Sequence, residues 1–250
     1  MDEAGVAGRL RGLAAFGQAL WAYHQGDTEA QLGVRWDLGE ETQLPVSVFF
    51  SPPDVGSPVE KEALARARGT VLDVGAGSGR FSAAVSERGL PVTALELLPD
   101  AVRVLRARGL RVVEGDLMAP GIAPPADTVL VMMNGASHAG TMAGLPGLLA
   151  ALCALTLPDG RILIDSTDPA HPAVEWEDPQ DGRHPGELHL QLGFGGAWGP
   201  LIPQLFVGPE ALSDVAGSVG LECEVAAADD DGRYLAELRV SRRLDPQAGL

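Results

Sequence analysis

Hydrophobic and polar positions along the chain keep a regular rhythm in the middle and a different one at either end. Between Gly69 and Asp165, short apolar runs recur at helix-sized intervals: TVLDV (70–74), VTALE (92–96), RVVEGD (111–116), TVLVMM (128–133) and RILID (161–165). Between them lie a glycine-rich turn with a helical stretch to Arg88, a second helix near 100–108, a third near 145–157, and the turn Pro158-Asp159-Gly160. Apolar strands separated by helices predict a parallel sheet with right-handed crossovers and helices on both faces. Upstream, Leu10, Leu13, Phe16, Leu20 and Tyr23 recur at three- and four-residue spacing within 9–25, which predicts a cap or lid helix with one apolar face. Residues 26–56 mix acids, Gly and Pro around PVSVFF (45–50) and read as an ordered connector. Ser57-Pro58-Val59-Glu60 has the spacing of a capping box with proline at the first helical position, so a helix is predicted from there to about Arg68.

Beyond Asp165 the rhythm changes. HLQLGF (189–194) and LIPQLFV (201–207) flank a Gly-Gly-Ala-Trp-Gly-Pro turn and predict a hairpin inserted at 186–206, after the fifth strand. A helix follows at 209–220, and then ECEVAAA and YLAELRV flank Asp229-Asp230-Asp231-Gly232, a hairpin signal that adds antiparallel strands to one edge of the sheet. The predicted fold is α/β: a doubly wound, mostly parallel seven-stranded sheet with an antiparallel C-terminal edge, an N-terminal helical cap over 1–56, and a main domain over 57–244 that carries the inserted hairpin.

Composition narrows the function. At 250 residues, 46% hydrophobic and 21% charged, the chain has the make-up of one globular domain with a small addition. Eighteen basic residues against 34 acidic ones give a net charge of −16, which repels phosphate backbones and anionic membranes, so no nucleic-acid or membrane partner is expected. Residues 128–158 contain no charged side chain, but the polar segment Asn134–Thr141 divides them into a strand and a helix rather than a membrane span. The two cysteines, Cys153 and Cys223, lack metal-ligand spacing and suit a reducing compartment; with no leader-like apolar segment at the N-terminus, a cytoplasmic location is expected.

The strongest chemical signal is the run Val71-Leu72-Asp73-Val74-Gly75-Ala76-Gly77-Ser78-Gly79-Arg80-Phe81, where an apolar strand ends in glycines that open a helix, the place where doubly wound sheets bind nucleotides. A nicotinamide fingerprint would put its third glycine at position 80, which is arginine, and Asp73 would repel a pyrophosphate while welcoming an ammonium group. The run resembles the first motif of the class I S-adenosylmethionine-dependent methyltransferases, and the resemblance extends over about 57–166. It implies S-adenosyl-L-methionine as donor, S-adenosyl-L-homocysteine as product, and a donor site containing Asp73, Gly75, Ala76, Gly77 and Gly79. Glu96, with Leu97 beside it, matches the acid that holds both ribose hydroxyls. Asp116 matches the acid that accepts the adenine amino group, with Leu117 as its backbone-donor neighbour, although Glu114 and Asp127 are alternatives. Asn134 matches the residue facing the donor methyl, or else caps the helix that follows.

Methyl transfer asks chiefly for positioning. A hydroxyl or acidic acceptor would need a base, and His138, four residues after Asn134, is the candidate unless it is a loop histidine without a role. Asp165 and Asp168 follow the fifth strand at the substrate-binding edge of such sheets, where they hold a cationic or hydroxylated acceptor or merely start a turn. Acceptor-pocket aromatics are expected from outside the shared core: Trp21, Tyr23 and Trp198 first, with Trp36, Phe49, Phe50 and Trp176 as further members. His171, His184 and His189 have no metal-site spacing, so no metal is expected. The leading reading is a methyltransferase acting on a small molecule. The alternatives are a nucleic-acid or protein methyltransferase, against which Asn134-Gly135-Ala136-Ser137 lacks the base-amine motif, and a donor-binding module without catalysis.

Overall fold

The computed structural model describes residues 3–37, 39, 41–175, 179 and 181–241. A long helix, α1 (Glu3–His24), leads into two strands, β1 (Gln31–Trp36) and β2 (Glu41–Pro45), and, after two short 3-10 turns, into α2 (Pro58–Arg66). The alternating region follows as β3 (Val71–Val74), α3 (Arg80–Glu87), β4 (Val92–Glu96), α4 (Pro99–Ala107), β5 (Val112–Glu114), β6 (Ala126–Val131), α5 (Leu145–Ala154) and β7 (Thr156–Thr167). The last third contains β8 (Glu187–Phe194), β9 (Ala197–Trp198), β10 (Ile202–Leu205), α6 (Pro209–Ser218), β11 (Leu221–Ala228) and β12 (Arg233–Val240).

These strands form two sheets. The larger has seven strands in the order β11-β12-β7-β6-β3-β4-β5, parallel from β7 to β5, with β12 antiparallel to β7 and β11 antiparallel to β12. Alternation along the strands dictates its two helical layers: Leu72, Val74, Val129, Val131, Ile162 and Ile164 face α5 and α6, whereas Val71, Leu130 and Leu163 face α2 and α3. The strand order switches direction at β3, so the carboxyl ends of β3, β4 and β6 bound the crevice where such sheets take ligands. Among the described residues no helix is long and apolar enough to cross a membrane. Cys153 and Cys223 are free and half-buried against the larger core.

The smaller sheet is where the fold departs from the sequence reading. Residues 26–56 are not a connector: β1 and β2 pair antiparallel, and β1 pairs on its other side with β8 of the inserted hairpin, in the order β10-β8-β1-β2 with β9 against β8. Gly33 lies opposite Gly193, and Trp198 covers both: a Cβ at either position would come 2.7 Å from the indole. Leu32, Val34, Leu190 and Leu192 pack this sheet against α1 and α4 in a core of its own.

Three local expectations need correction. The capping box does not form: Ser57 Oγ has no partner, and Glu60 turns instead to Arg80, with Glu60 Oε1 and Oε2 at 2.7 and 3.0 Å from the guanidinium. A buried arginine is the stronger claimant for a carboxylate than an N-terminal amide. Pro158-Asp159-Gly160 does not separate helix from strand but lies within β7, as an irregularity where pairing to β6 jumps from Ala126–Thr156 to Thr128–Arg161 and Asp159 takes φ 64°. Finally, α2 ends at Arg66 and α5 at Ala154, earlier than helical periodicity suggested.

Candidate active site

The crevice is built from backbone turns that only glycine-rich sequence makes. After β3 the chain reverses through Gly75, Gly77 and Gly79, at φ 66°, 56° and 81°. A Cβ on Gly75 would lie 2.6 Å from His138 Nε2, so the absent side chain is needed for space as well as for conformation.

Two buried carboxylates fix this loop. Asp73, 3% exposed, accepts from the backbone N–H and hydroxyl of Ser82 on α3 at 3.0 and 2.6 Å. Burial pushes its carboxyl up to about 6; the Ser82 hydrogen bonds pull the other way, and the charge of Glu96 adds to the rise. Parallel pairing of Val74 with Leu95 brings Glu96, at the end of β4, level with the glycine turn. Its Oε2 accepts from Gly77 N–H at 2.7 Å, and its Oε1 accepts from Leu97 and Leu98 N–H at 2.7 and 2.8 Å. Burial raises the Glu96 carboxyl, against the pull of these three donors.

Asp116 lies in the turn after β5, where its Oδ1 accepts from Met118 N–H at 3.0 Å and stands 3.9 Å from Arg9 of α1. With Leu97, Leu117 and His138 it walls a recess of about 50 Å³. This recess shares Gly75, Glu96, Leu98 and His138 with the main cavity, of about 710 Å³. The His138 imidazole is pushed down to about 4 by burial and then by the charge of Arg9, with Asp116 pulling upward, so it is neutral at neutral pH.

The turn after β6 is strained. Met133 and Asn134 both take left-handed backbone, at φ 66° and 62°, which costs on the order of 1 kcal/mol each. Asp165, buried at the end of β7, holds them by accepting from Met133 and Gly135 N–H at 3.2 and 2.9 Å. The Asn134 side chain is also engaged: Nδ2 donates to Leu205 O at 3.3 Å, and Oδ1 accepts from Ser166 Oγ at 3.1 Å. Met133, rather than Asn134, lines the main cavity.

The structure therefore brings Asp73, Gly75, Ala76, Gly77, Glu96 and His138 together around the main cavity, with Asp116, Leu97 and Leu117 in the recess beside it. Gly79 caps α3 beneath Leu105 and Leu110. Asn134 and Asp165 line a neighbouring cleft of about 490 Å³ with Glu60 and Arg233. Of the aromatic candidates, Trp36 and Phe49 line the main cavity. Trp21 packs under Arg103 of α4, Tyr23 stacks on Phe50, and Trp198 lies between Arg35 and the paired glycines, so none of these is a wall of that cavity. Asp168 accepts from Ala170 N–H at 3.0 Å in its own turn, and Trp176 lies outside the described residues.

Sequence reasoning missed Arg80, Arg9 and Arg11. Arg80 is buried between the cavity and the cleft, where its guanidinium pairs with Glu60 and its Nε donates to Ser51 O at 2.6 Å. Phe16 of α1 closes over Gly77 and meets Phe49 edge to face, so α1 is a wall of the site. Its helical periodicity did signal an apolar face, but not what that face covers.

A comparison with solved structures gives a close relative. An S-adenosylmethionine-dependent methyltransferase from Bacteroides fragilis, solved in complex with S-adenosyl-L-homocysteine, is 30% identical, with TM-score 0.81 over 91% of this chain and 94% of that one. The methyltransferase CcbJ from Streptomyces caelestis shares the fold at 18% identity and TM-score 0.59, over 76% of this chain and 99% of that one. CalS10, an amino pentose methyltransferase from Micromonospora echinaspora, shares it at 21% identity and TM-score 0.51, over 73% and 88%. No protein-family model matches the sequence, and no curated protein matches it.

Proposed function

The chain belongs to the S-adenosylmethionine-dependent methyltransferases, and on that premise we propose that it methylates a small molecule enclosed between the glycine turn and the smaller sheet. The observation that carries this reading is the cavity of about 710 Å³, whose floor is the glycine turn and whose roof is α1 with β1, β8 and the 200–204 segment. Such enclosure suits a small molecule rather than a duplex or a folded protein. In this reading residues 57–244 hold the donor, while 1–56 and the 186–206 insertion form the acceptor wall.

The site fits the donor. Gly75, Ala76 and Gly77 line the cavity floor, and Glu96 Oε2, with a single protein donor, keeps capacity for ribose hydroxyls. The recess beside Asp116 pairs one carboxylate acceptor with the apolar surface of Leu97 and Leu117, which suits an amino-substituted base. The ionised form of Asp73 complements positive charge. When bound, S-adenosylmethionine supplies an electrophilic methyl group on a sulfonium whose carbon–sulfur bonding pair stays with sulfur as the acceptor's lone pair forms the new bond. The protein's part is to exclude water, through Phe16 and Phe49, and to align the two partners. Neutral His138 is our candidate to accept a hydrogen bond from an acceptor hydroxyl at Nε2 and so orient it toward the methyl group.

Incubation with methyl-labelled donor and a cell extract, separated into small-molecule, RNA and protein fractions, tests the proposal. Label is expected among small molecules; label in RNA or protein instead would sink the proposal.

A further inference from the structure

The charges around the main cavity are divided by side. Its only acids among the described residues are Asp73 and Glu96, both on the glycine-turn floor and both already bound by protein donors. The opposite wall is apolar: Leu32, Val34 and Trp36 from β1, Leu190 and Leu192 from β8, and Leu201 at the mouth, which is 56% exposed. Among the described residues no carboxylate faces this wall, so an acceptor carrying an ammonium group would lose its hydration there without a partner, an expensive transfer.

Three arginines line the same cavity, and they are not equivalent. Arg80 is paired with Glu60, and Arg9 stands 3.9 Å from Asp116. Arg11, exposed on α1 at the mouth, makes no ion pair among the described residues. Gly8, three residues earlier on α1 and also lining the cavity, carries no side chain, and a Cβ there would meet nothing within 4 Å, so the helix face is open at that point. Among the described residues the cavity thus combines an apolar wall with one unpaired cation at its entrance.

We infer that the acceptor is an apolar small molecule bearing an acidic group, a carboxylate or its equivalent, which pairs with Arg11 at the mouth while the apolar body lies against β1 and β8. This rests on the methyltransferase reading of the site and specifies what the acceptor half takes. A charge-assisted pair with arginine is the strong kind of polar contact, and at a half-open mouth its cost of desolvation is modest.

The test is calorimetric titration of octanoate, octanol and octylamine, one apolar body with three head groups, into the protein with and without saturating S-adenosylhomocysteine. Octanoate is expected to bind about tenfold more tightly than octylamine, with octanol between, a difference of about 1.4 kcal/mol. In Arg11→Glu the order should reverse, while S-adenosylhomocysteine affinity changes by less than about twofold, since the substitution is at an exposed helix position outside the donor floor. Equal binding of the acid and the amine, preference for the amine, an Arg11→Glu protein that still prefers octanoate, or no binding of any probe would each overturn the inference. Failure of S-adenosylhomocysteine to bind would instead remove the donor reading, and the head-group order on the unloaded protein would still decide this one.

Discussion

The two sheets bound one cavity by different physics. On the floor, at the carboxyl edge of the larger sheet, shape is set by hydrogen bonds: Glu96 ties β4 to the glycine turn, Asp73 ties the turn to α3, and Asp165 ties down the strained turn after β6. On the roof, shape is set by apolar packing: Leu32, Val34, Leu190 and Leu192 face inward from a sheet whose glycines admit Trp198. A directional floor holds its polar groups in fixed positions, bound to protein donors, so a ligand must match the hydrogen-bonding capacity that is left. An apolar roof discriminates weakly, at about 1–3 kcal/mol per methylene. The difference locates specificity on the reading proposed above: there the donor would be selected by many small fixed dipoles, and the acceptor by volume and one or two charges.

The sharpest way to break this contrast is at the seam. Glu60→Ala leaves Arg80 buried with its charge unpaired, and urea unfolding should show a loss of about 3–5 kcal/mol; a loss below about 1 kcal/mol would mean that the pair does not hold the seam. The roof can be disturbed alone. Gly193→Ala drives a Cβ to 2.7 Å from Trp198 and should cost about 1–3 kcal/mol in stability while calorimetry finds S-adenosylhomocysteine affinity retained. Loss of donor binding in that variant would show that roof and floor do not act separately.

The floor has its own signature in pH. Because burial raises the Asp73 carboxyl from 3.8 to about 6, its contribution to folding is complete below the unfolded value and is lost as pH rises through about 6. A cationic donor beside the ionised carboxylate reverses that preference. S-adenosylmethionine affinity should therefore rise about tenfold between about pH 5 and pH 7, and Asp73→Asn should flatten the profile. The smallest effect expected is for Ser57→Ala. Its hydroxyl has no partner, so denaturation should move by less than about 0.5 kcal/mol, whereas a loss of about 1 kcal/mol would restore the capping box.

The floor was legible in the sequence because its determinants are local. The glycines at 75, 77 and 79 directly follow the strand they terminate, and Glu96 ends the next run, so strand, turn and helix signals agree within a short stretch. The roof was not. β2 is exposed along its whole length and has no apolar alternation, and Gly33 in β1 reads as a strand breaker until Trp198 is seen folded over it. Periodicity showed that α1 has an apolar face without saying which residues meet the cavity: Leu13 and Phe16 do, whereas Trp21 and Tyr23 turn to Arg103 and Phe50. Asn134 and Asp165 lay where substrate-binding groups are expected, but the strained turn they stabilise claims their polar atoms first. Ser57 and Glu60 had the right spacing for a local bond, and a more distant arginine outcompeted it.

The pairing of Val34 with Leu192 has a temporal side as well. A chain emerging from the ribosome has all five parallel strands and every floor residue by Thr167, yet β1 has no inner partner until β8 has been made. Contacts between segments so far apart in sequence close slowly, since loop entropy is lost before packing repays it. The floor is thus translated in full well before the sheet of the roof can close over it, and until β8 is made β1 has only β2, α1 and α4 to pack on.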